Sequence, residues 1–380
     1  MAGPLTGLRV VELQGRGPGP FGGMVLADLG AEVVRIDRPE KEPAAGTSTA
    51  DETAEERMIR GHRQIDLVSR GRRSVPLDLK QPAGLASALD LIERADVLVE
   101  GYRPGVAERL GVGPEVCLER NPGLIYARIT GWGQDGPFAQ VPGHDINYVA
   151  LAGALDPLRR GDQPPAPPLN LLGDYGGGGM LLVIGILSAL FERSRSGKGQ
   201  IVDTAMVDGV ALLTTLFHGM RAEKLWSDVP GSNVLDLGAP FYNVYETADG
   251  RYVTIGCGEP QFYAVLIEKL GLGDELLRGQ SDATTWADGR LTLAEVFRAK
   301  RFDEWRELLE GTQTCFAPVL TLAEAPNHPH NVERGTFVEV DGVVQPAPAP
   351  RFSRTPPGPP GAVTAAKDTA EEVIERWTRP

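Results

Sequence analysis

The chain has 380 residues, enough for one large domain or two domains around substantial cores. Hydrophobic residues make up 42% and charged residues 23%, the balance of a globular protein, and the formal net charge of −13 argues against nucleic acid or an anionic membrane as the main partner. Three cysteines, Cys117, Cys257 and Cys315, are isolated in sequence, a pattern that predicts neither a disulfide framework nor a metal site. Met1-Ala2-Gly3-Pro4-Leu5 lacks the basic and apolar regions of a signal peptide, and the apolar run from Met180 to Phe191 is short for a bilayer span. The final Trp377-Thr378-Arg379-Pro380 is not a peroxisomal tripeptide, so the expected location is the reducing cytoplasm.

In chain order, Leu8 to Leu13 reads as a buried strand. A Gly/Pro turn over 15–23 follows, then a helical pattern from Met24 to Leu29 closed by Gly30, and a β-branched strand from Ala31 to Asp37. Strand, helix and strand in so short a span make a βαβ unit and imply a parallel sheet. Residues 40–56 are acidic, rich in Ala and Thr and without periodicity, which predicts a mobile surface loop. The pattern resumes with a strand over 74–79, a helix from Pro82 to Ala95, and strands over 96–100 and 124–129. A long helix is expected from Asp174 to Arg195, stopped by Gly197-Lys198-Gly199, and another from Val202 to Met220. Phe241 to Ile255 alternates as a hairpin turning at Ala248-Asp249-Gly250. Helices then run to about Glu310, and the Pro-dense 344–361 resembles an extended strap. The expected organisation is a large α/β domain over 1–200, connector helices over 201–238, a small α+β domain over 239–325, and a segment over 326–380 that returns to the first.

Arginines stand out in this acidic chain. Arg57, Arg60, Arg63, Arg70, Arg72 and Arg73 fall close together, and Arg35, Arg38 and Arg103 sit at the ends of predicted strands. Ligands of open parallel sheets bind beyond the carboxyl ends of strands, so these arginines suit a phosphate-bearing ligand; salt bridges to the acidic loop suit them equally. Gly15-Arg16-Gly17-Pro18-Gly19-Pro20 follows the first strand, but Pro20 stands where a dinucleotide motif has its third glycine. A tight turn is the better reading.

The chemistry-bearing residues lie further on. His144, in Gly143-His144-Asp145-Ile146-Asn147-Tyr148, follows a Pro-Gly turn and is either a structural histidine or a proton carrier near neutrality. Asp174 precedes four glycines and a long apolar helix, so it is either an N-cap or a carboxylate beside the positive end of a helix. Glycine costs roughly 1 kcal/mol per residue in a helix relative to alanine, so the run implies close approach of a backbone or a ligand. Glu259, between Gly258 and Pro260, is a solvated turn carboxylate or a third group that orients an imidazole. Asp203 and Asp208 read as residues at helix ends. Trp132, Phe241, Tyr242 and Tyr263 serve either core packing or an apolar acyl pocket.

These segments together resemble the α-methylacyl-CoA racemases within the family III CoA-transferases (the CaiB/BaiF-like group). The likeness is carried by Gly19-Pro20-Phe21, Met24 to Ala31, Asp37-Arg38-Pro39, Leu77-Asp78-Leu79-Lys80, Gly143 to Tyr148, Pro168 to Leu171, Asp174 with its glycines, Gly197 to Gln200, Gly238 to Tyr242 and Glu259 to Tyr263, from residue 5 to about 340. Between Asp37-Arg38-Pro39 and Arg73 the chain is longer than the resemblance leads one to expect, and 341–380 shows little of it.

The resemblance implies a Rossmann-like large domain, a smaller α+β domain, and two chains interlocked as a homodimer. It implies His144 and Asp174 as two bases on opposite sides of an acyl α-carbon, with Glu259 supporting His144. Arg38, Leu77, Asp78, Leu79 and Lys80, with Arg103, would hold the CoA nucleotide. Gly143, Asp145, Ile146, Asn147 and Tyr148 would hold the thioester end, with backbone N–H groups of 144–146 on the enolate oxygen. The implied activity is inversion of 2-methyl-branched acyl-CoA thioesters in lipid and fatty acid metabolism, with no cofactor beyond the CoA of the substrate. A transferase using Asp174 as nucleophile is the alternative, and His144 with Glu259 speak against it. A CoA-binding scaffold without chemistry is a third reading. A sterol side chain, a branched fatty acid and an arylpropionate all suit an apolar acyl pocket.

Overall fold

The computed structural model describes residues 3–39, 65–161, 163–362 and 366–378. The predicted loop over 40–56 and Arg57, Arg60 and Arg63 lie outside them. The chain divides into two compact units, one of residues 1–152, 168–213 and 335–380, the other of 153–167 and 214–334. These boundaries differ from the sequence-based ones. Residues 201–213 belong to the first unit, 153–167 and the remaining connector to the second.

The first unit is built on a seven-stranded parallel sheet. Its strands are β1 (Arg9–Leu13), β2 (Glu32–Asp37), β3 (Arg72–Pro76), β4 (Val97–Glu100), β5 (Ile125–Thr130), β6 (Gln200–Ala205) and the short β12 (Ala366–Lys367), in the order β12-β3-β2-β1-β4-β5-β6. The order reverses direction beside β1, which pairs with β2 on one side and β4 on the other. Such a reversal opens a crevice at the carboxyl ends of the strands.

Both faces of the sheet are covered, which explains the continuous apolar runs in its strands. On one face Val11, Val34, Leu98 and Tyr126 pack with Leu91 and Ile92 of α2 (Pro82–Glu93). Val373 and Trp377 of the C-terminal helix α9 (Ala370–Thr378) join them. On the other face Val10, Val33, Val97 and Ala127 meet Leu26 of α1 (Pro18–Asp28) and Leu182 and Ile186 of α4 (Leu181–Ser196).

The helix α1 starts at Pro18, not at Met24. Proline is pre-set for the first helical turn, and Gly19, Gly22 and Gly23, expected in a turn, sit in the helix where a Cβ would meet Ile129, Leu182 and Glu12. The predicted strand over 74–79 is Arg72–Pro76; Leu77, Asp78, Leu79 and Lys80 form the turn after it, where Asp78 Oδ1 accepts the Lys80 N–H at 3.0 Å. The helix expected from Asp174 begins earlier. Leu171–Met180 is a wide-turn π-helix that continues as α4. The whole stretch Leu171–Ser196 is 26 residues long and, by length and composition only, passes for a membrane span; Leu182, Val183, Ile186 and Ala189 are instead buried in this unit. Residues 202–205 are in β6, paired with β5, so the helix expected from Val202 starts as α5 (Met206–Leu213). Asp203 is thus a strand residue, and Asp208 lies in the first turn of α5.

Residues 335–380 of the expected 326–380 segment belong to the first unit, and 326–334 to the second. Part of the Pro-dense strap is the strand β11 (Val343–Pro346), antiparallel to β10 (Phe337–Val340), and Arg70 donates to Gln345 Oε1 at 2.8 Å and to the Pro346 carbonyl at 2.9 Å. Arg376 donates to Glu32 at 2.6 Å and, like Arg73, to Asp368, which fastens the last residues to the sheet edge.

The second unit holds a three-stranded antiparallel sheet of β7 (Tyr242–Glu246), β8 (Tyr252–Gly256) and β9 (Phe316–Pro318), including the predicted hairpin. Helices α6 (Pro260–Leu270), α7 (Trp286–Arg298) and α8 (Phe302–Leu309) supply Tyr263, Leu266, Phe297, Phe302 and Trp305 to its core. Tyr245 stacks on Phe297 at 5.0 Å between ring centres.

Candidate active site

A cavity of about 330 Å³ opens in the first unit, walled by the loops that leave β1, β4 and β5. It therefore lies at the reversal of strand order, where the sheet's topology leaves room for a ligand. Arg16, Gly17 and Pro18 come from the first loop, Gly101 to Pro104 from the second, and Thr130, Gly131, Trp132, Gly143, His144 and Tyr148 from the third; Asp174 completes the wall.

Local chemistry sets each side chain. His144 is the N-cap of α3 (Asp145–Leu151), and its backbone N–H donates to Asn147 Oδ1 at 3.0 Å. That donor is thereby taken, and helix geometry leaves the N–H groups of Asp145 and Ile146 without an intrahelical acceptor. Trp132 donates its indole N–H to the Val141 carbonyl at 3.1 Å and meets Tyr148 edge-on at 4.7 Å, which closes the 131–143 loop over Tyr148. Burial, with the nearby Asp174 charge, pushes the Tyr148 hydroxyl up to about 12, so it is a neutral donor.

Asp174 sits half-buried in the first turn of the π-helix. Its N–H donates to Asp145 Oδ2 at 2.7 Å, and its own Oδ2 accepts from Asn170 Nδ2 at 3.1 Å. Burial raises the Asp174 carboxyl above the ordinary aspartate value; the Asn170 amide opposes this, Asp145 reinforces it, and His144 opposes it. A raised carboxyl and an imidazole on one cavity wall supply two candidate proton-transfer groups.

The four glycines have a structural cause. A Cβ on Gly177 would come within 2.7 Å of Val210 N, and one on Gly179 within 2.7 Å of a Phe21 ring atom. The bare face admits α1 and α5 rather than a ligand. The aromatic stack of Phe21 on Tyr175, 4.4 Å between centres, locks the same junction.

Of the segment 143–148, Gly143, His144 and Tyr148 line the cavity. Asp145 is buried and turned to the π-helix, with Oδ1 lacking a hydrogen-bond partner; Ile146 and Asn147 are exposed outside the cavity wall. Arg103 is on the wall. Arg38 is exposed after β2, its N–H donating to Gln14 Oε1 at 3.2 Å. Leu77 and Leu79 pack on the core, Asp78 is half-buried, and Lys80 is exposed. Glu259, in the second unit, is the exposed N-cap of α6.

Most described arginines of the cluster are structural. Arg35 pairs with Asp37 at 2.8 Å, Arg70 with Asp28 at 2.5 Å, Arg72 with the fully buried Glu12 at 2.8 Å, and Arg73 with Asp368. Of the four aromatics, Trp132 lines the cavity, whereas Phe241 and Tyr263 belong to the core of the second unit and Tyr242 lies on β7. Sequence reasoning passed over Arg16 and Asn170. A charge inside a Gly/Pro turn after the first strand was the available signal for Arg16; for Asn170 it was its place in the Pro168–Leu171 motif, four residues before Asp174.

A doubly wound sheet with an imidazole and a raised carboxyl at its switch point defines a class, and the chain belongs to CoA-transferase family III, whose family model matches residues 5–365. That match extends to residue 365, beyond the motifs of the resemblance, which end at about 340. Within the family the chain is 47% identical over 357 residues to the alpha-methylacyl-CoA racemase of Mus musculus, covering 93% of this chain and 88% of that protein. The human alpha-methylacyl-CoA racemase is 45% identical over 354 residues, with 93% and 87% covered. Among solved structures, a CAIB/BAIF family protein from Brucella suis superimposes with a TM-score of 0.80 at 27% identity, over 99% of this chain and 100% of that one.

Proposed function

We propose that this enzyme is an isomerase that inverts the α-carbon of 2-methyl-branched acyl-CoA thioesters by 1,1-proton transfer through an enolate. The reading is carried by one observation: His144 and the raised carboxyl of Asp174 line one cavity. It draws further support from the two racemases to which nearly the whole chain is similar.

In this mechanism one base removes the α-proton from one face, and the conjugate acid of the other returns a proton to the opposite face. The enolate oxygen meets backbone N–H groups at the start of α3, where the helix also presents partial positive charge. Glu259 is, from the resemblance, the third candidate catalytic group. Arg38, the Leu77-Asp78-Leu79-Lys80 turn and Arg103 hold the CoA nucleotide. The enzyme works as a cytoplasmic homodimer, with neither membrane nor nucleic acid as partner and no cofactor beyond the substrate's own CoA.

The test is exchange of the α-proton in deuterated buffer with a 2-methylacyl-CoA, followed by mass spectrometry. Asp174→Asn and His144→Gln should each slow exchange by roughly 10²–10⁴-fold. Acyl transfer to a free acid without exchange would instead identify a transferase in which Asp174 is the nucleophile.

A further inference from the structure

One buried guanidinium holds both ends of a loop that walls the cavity. Glu100, the last residue of β4, is fully buried, and its register partner on β5 is Arg128. Glu100 Oε1 accepts from Arg128 Nε at 2.7 Å, while Oε2 accepts the Tyr102 N–H at 2.8 Å. The second arm of Arg128 donates to Glu108 Oε1 at 2.8 Å, on the short helix Val106–Arg109 that ends the loop. Between these two anchors stand Gly101, Tyr102, Arg103 and Pro104, every one of them on the cavity wall. Beyond Arg128 in the sheet lies its other register partner, Asp203.

A buried ion pair gains little stability over an apolar pair of the same shape. The fork of Arg128, with its fixed donor geometry, instead ties one strand to two points of a loop and so defines where the loop can go. We propose that Glu100, Arg128 and Glu108 form a clamp of positioning residues that presets the 101–104 loop, and Arg103 with it, for the phosphate-bearing end of the CoA moiety. The proposal rests on the acyl-CoA reading given above. The clamp acts on binding and not on proton transfer, because it touches neither His144 nor Asp174. A loop already ordered before the ligand arrives does not lose conformational freedom on binding, and ordering one long side chain costs enough to change affinity roughly tenfold.

Glu108 is partly exposed, its side chain 43% accessible, so Glu108→Gln removes the charge that strengthens one anchor without opening the core. Arg128→Lys keeps the charge and loses the fork. The full-length enzyme and these two variants, together with Arg103→Ala and the Glu108→Gln/Arg103→Ala double variant, are titrated with coenzyme A by calorimetry, and kcat and KM are measured by α-proton exchange. The expected result is a roughly tenfold weaker Kd for Glu108→Gln and Arg128→Lys, with the loss in turnover falling on KM more than on kcat. Glu108→Gln should add almost nothing to Arg103→Ala, since both act through one side chain. Unchanged coenzyme A affinity in a folded Glu108→Gln variant, or full additivity with Arg103→Ala, overturns the clamp. A wild-type enzyme that binds coenzyme A with this pattern but exchanges no α-proton overturns the racemase reading and leaves the clamp standing. An enzyme that exchanges normally without the pattern does the opposite.

Discussion

Replacing Gly17 by alanine should separate the chemistry of this site from the stability of the fold. Gly17 precedes α1 with φ 68° and ψ −117°, a conformation that side chains avoid, and holding alanine there costs roughly 1–3 kcal/mol. The added Cβ would also stand 3.0 Å from Asp174 Oδ2 and 3.3 Å from its Cγ, closer than ordinary van der Waals contact. Relief requires the Asp174 carboxyl to retreat by a few tenths of an ångström, against the hydrogen bond it accepts from Asn170. Misplacing a reacting group by about 1 Å costs roughly 10²-fold in rate, so a smaller retreat should slow exchange by about tenfold. The assay is deuterium incorporation at the α-carbon, beside thermal melts by circular dichroism, where the strain lowers Tm by a few degrees. Gly197→Ala is the control, for it too has positive φ (72°) but nothing within 4 Å of a new Cβ. It should melt lower and exchange normally. If Gly17→Ala exchanges as fast as Gly197→Ala, the contact does not position Asp174 and the reasoning fails.

Two further outcomes follow from the charges. Asp174 is held above the ordinary aspartate range, so the acid limb of kcat/KM should lie above that range; Asn170→Leu removes the donor that lowers it, and the limb should move to still higher pH in rate profiles. A limb that stays or moves down in that variant contradicts the assignment. Asp368 is held below its ordinary value of 3.8, first by Arg73 and then by Arg376. A depressed carboxyl contributes stability above its unfolded value and loses it as pH falls through the folded one. Asp368→Asn should therefore cost roughly 2 kcal/mol in urea melts at neutral pH, and the difference from wild type should vanish in acid.

The alternation of β-branched runs with helical stretches made the parallel sheet readable, because a strand buried on both faces has to be apolar throughout. The likeness of local motifs points to His144, Asp174 and Glu259 from the sequence alone. Pattern failed where one residue type serves two environments. Val202 to Ala205 were read as helical because a short apolar run has no decisive period, and pairing with β5 made them strand. Gly19, Gly22 and Gly23 suit a turn in isolation, and in α1 glycine is needed because a Cβ would crowd Ile129, Leu182 and Glu12.

What only the tertiary structure decided is who meets whom. Glu12 and Arg72, or Asp145 and the Asp174 N–H, are far apart along the chain, and nothing local encodes their pairing. The same fact sorted the arginines: those facing a carboxylate inside the sheet are structural, while Arg16 and Arg103 face the cavity. Periodicity reports which face of an element is buried. The partner across that face is set by strand order and register, and these depend on the whole chain closing around its core.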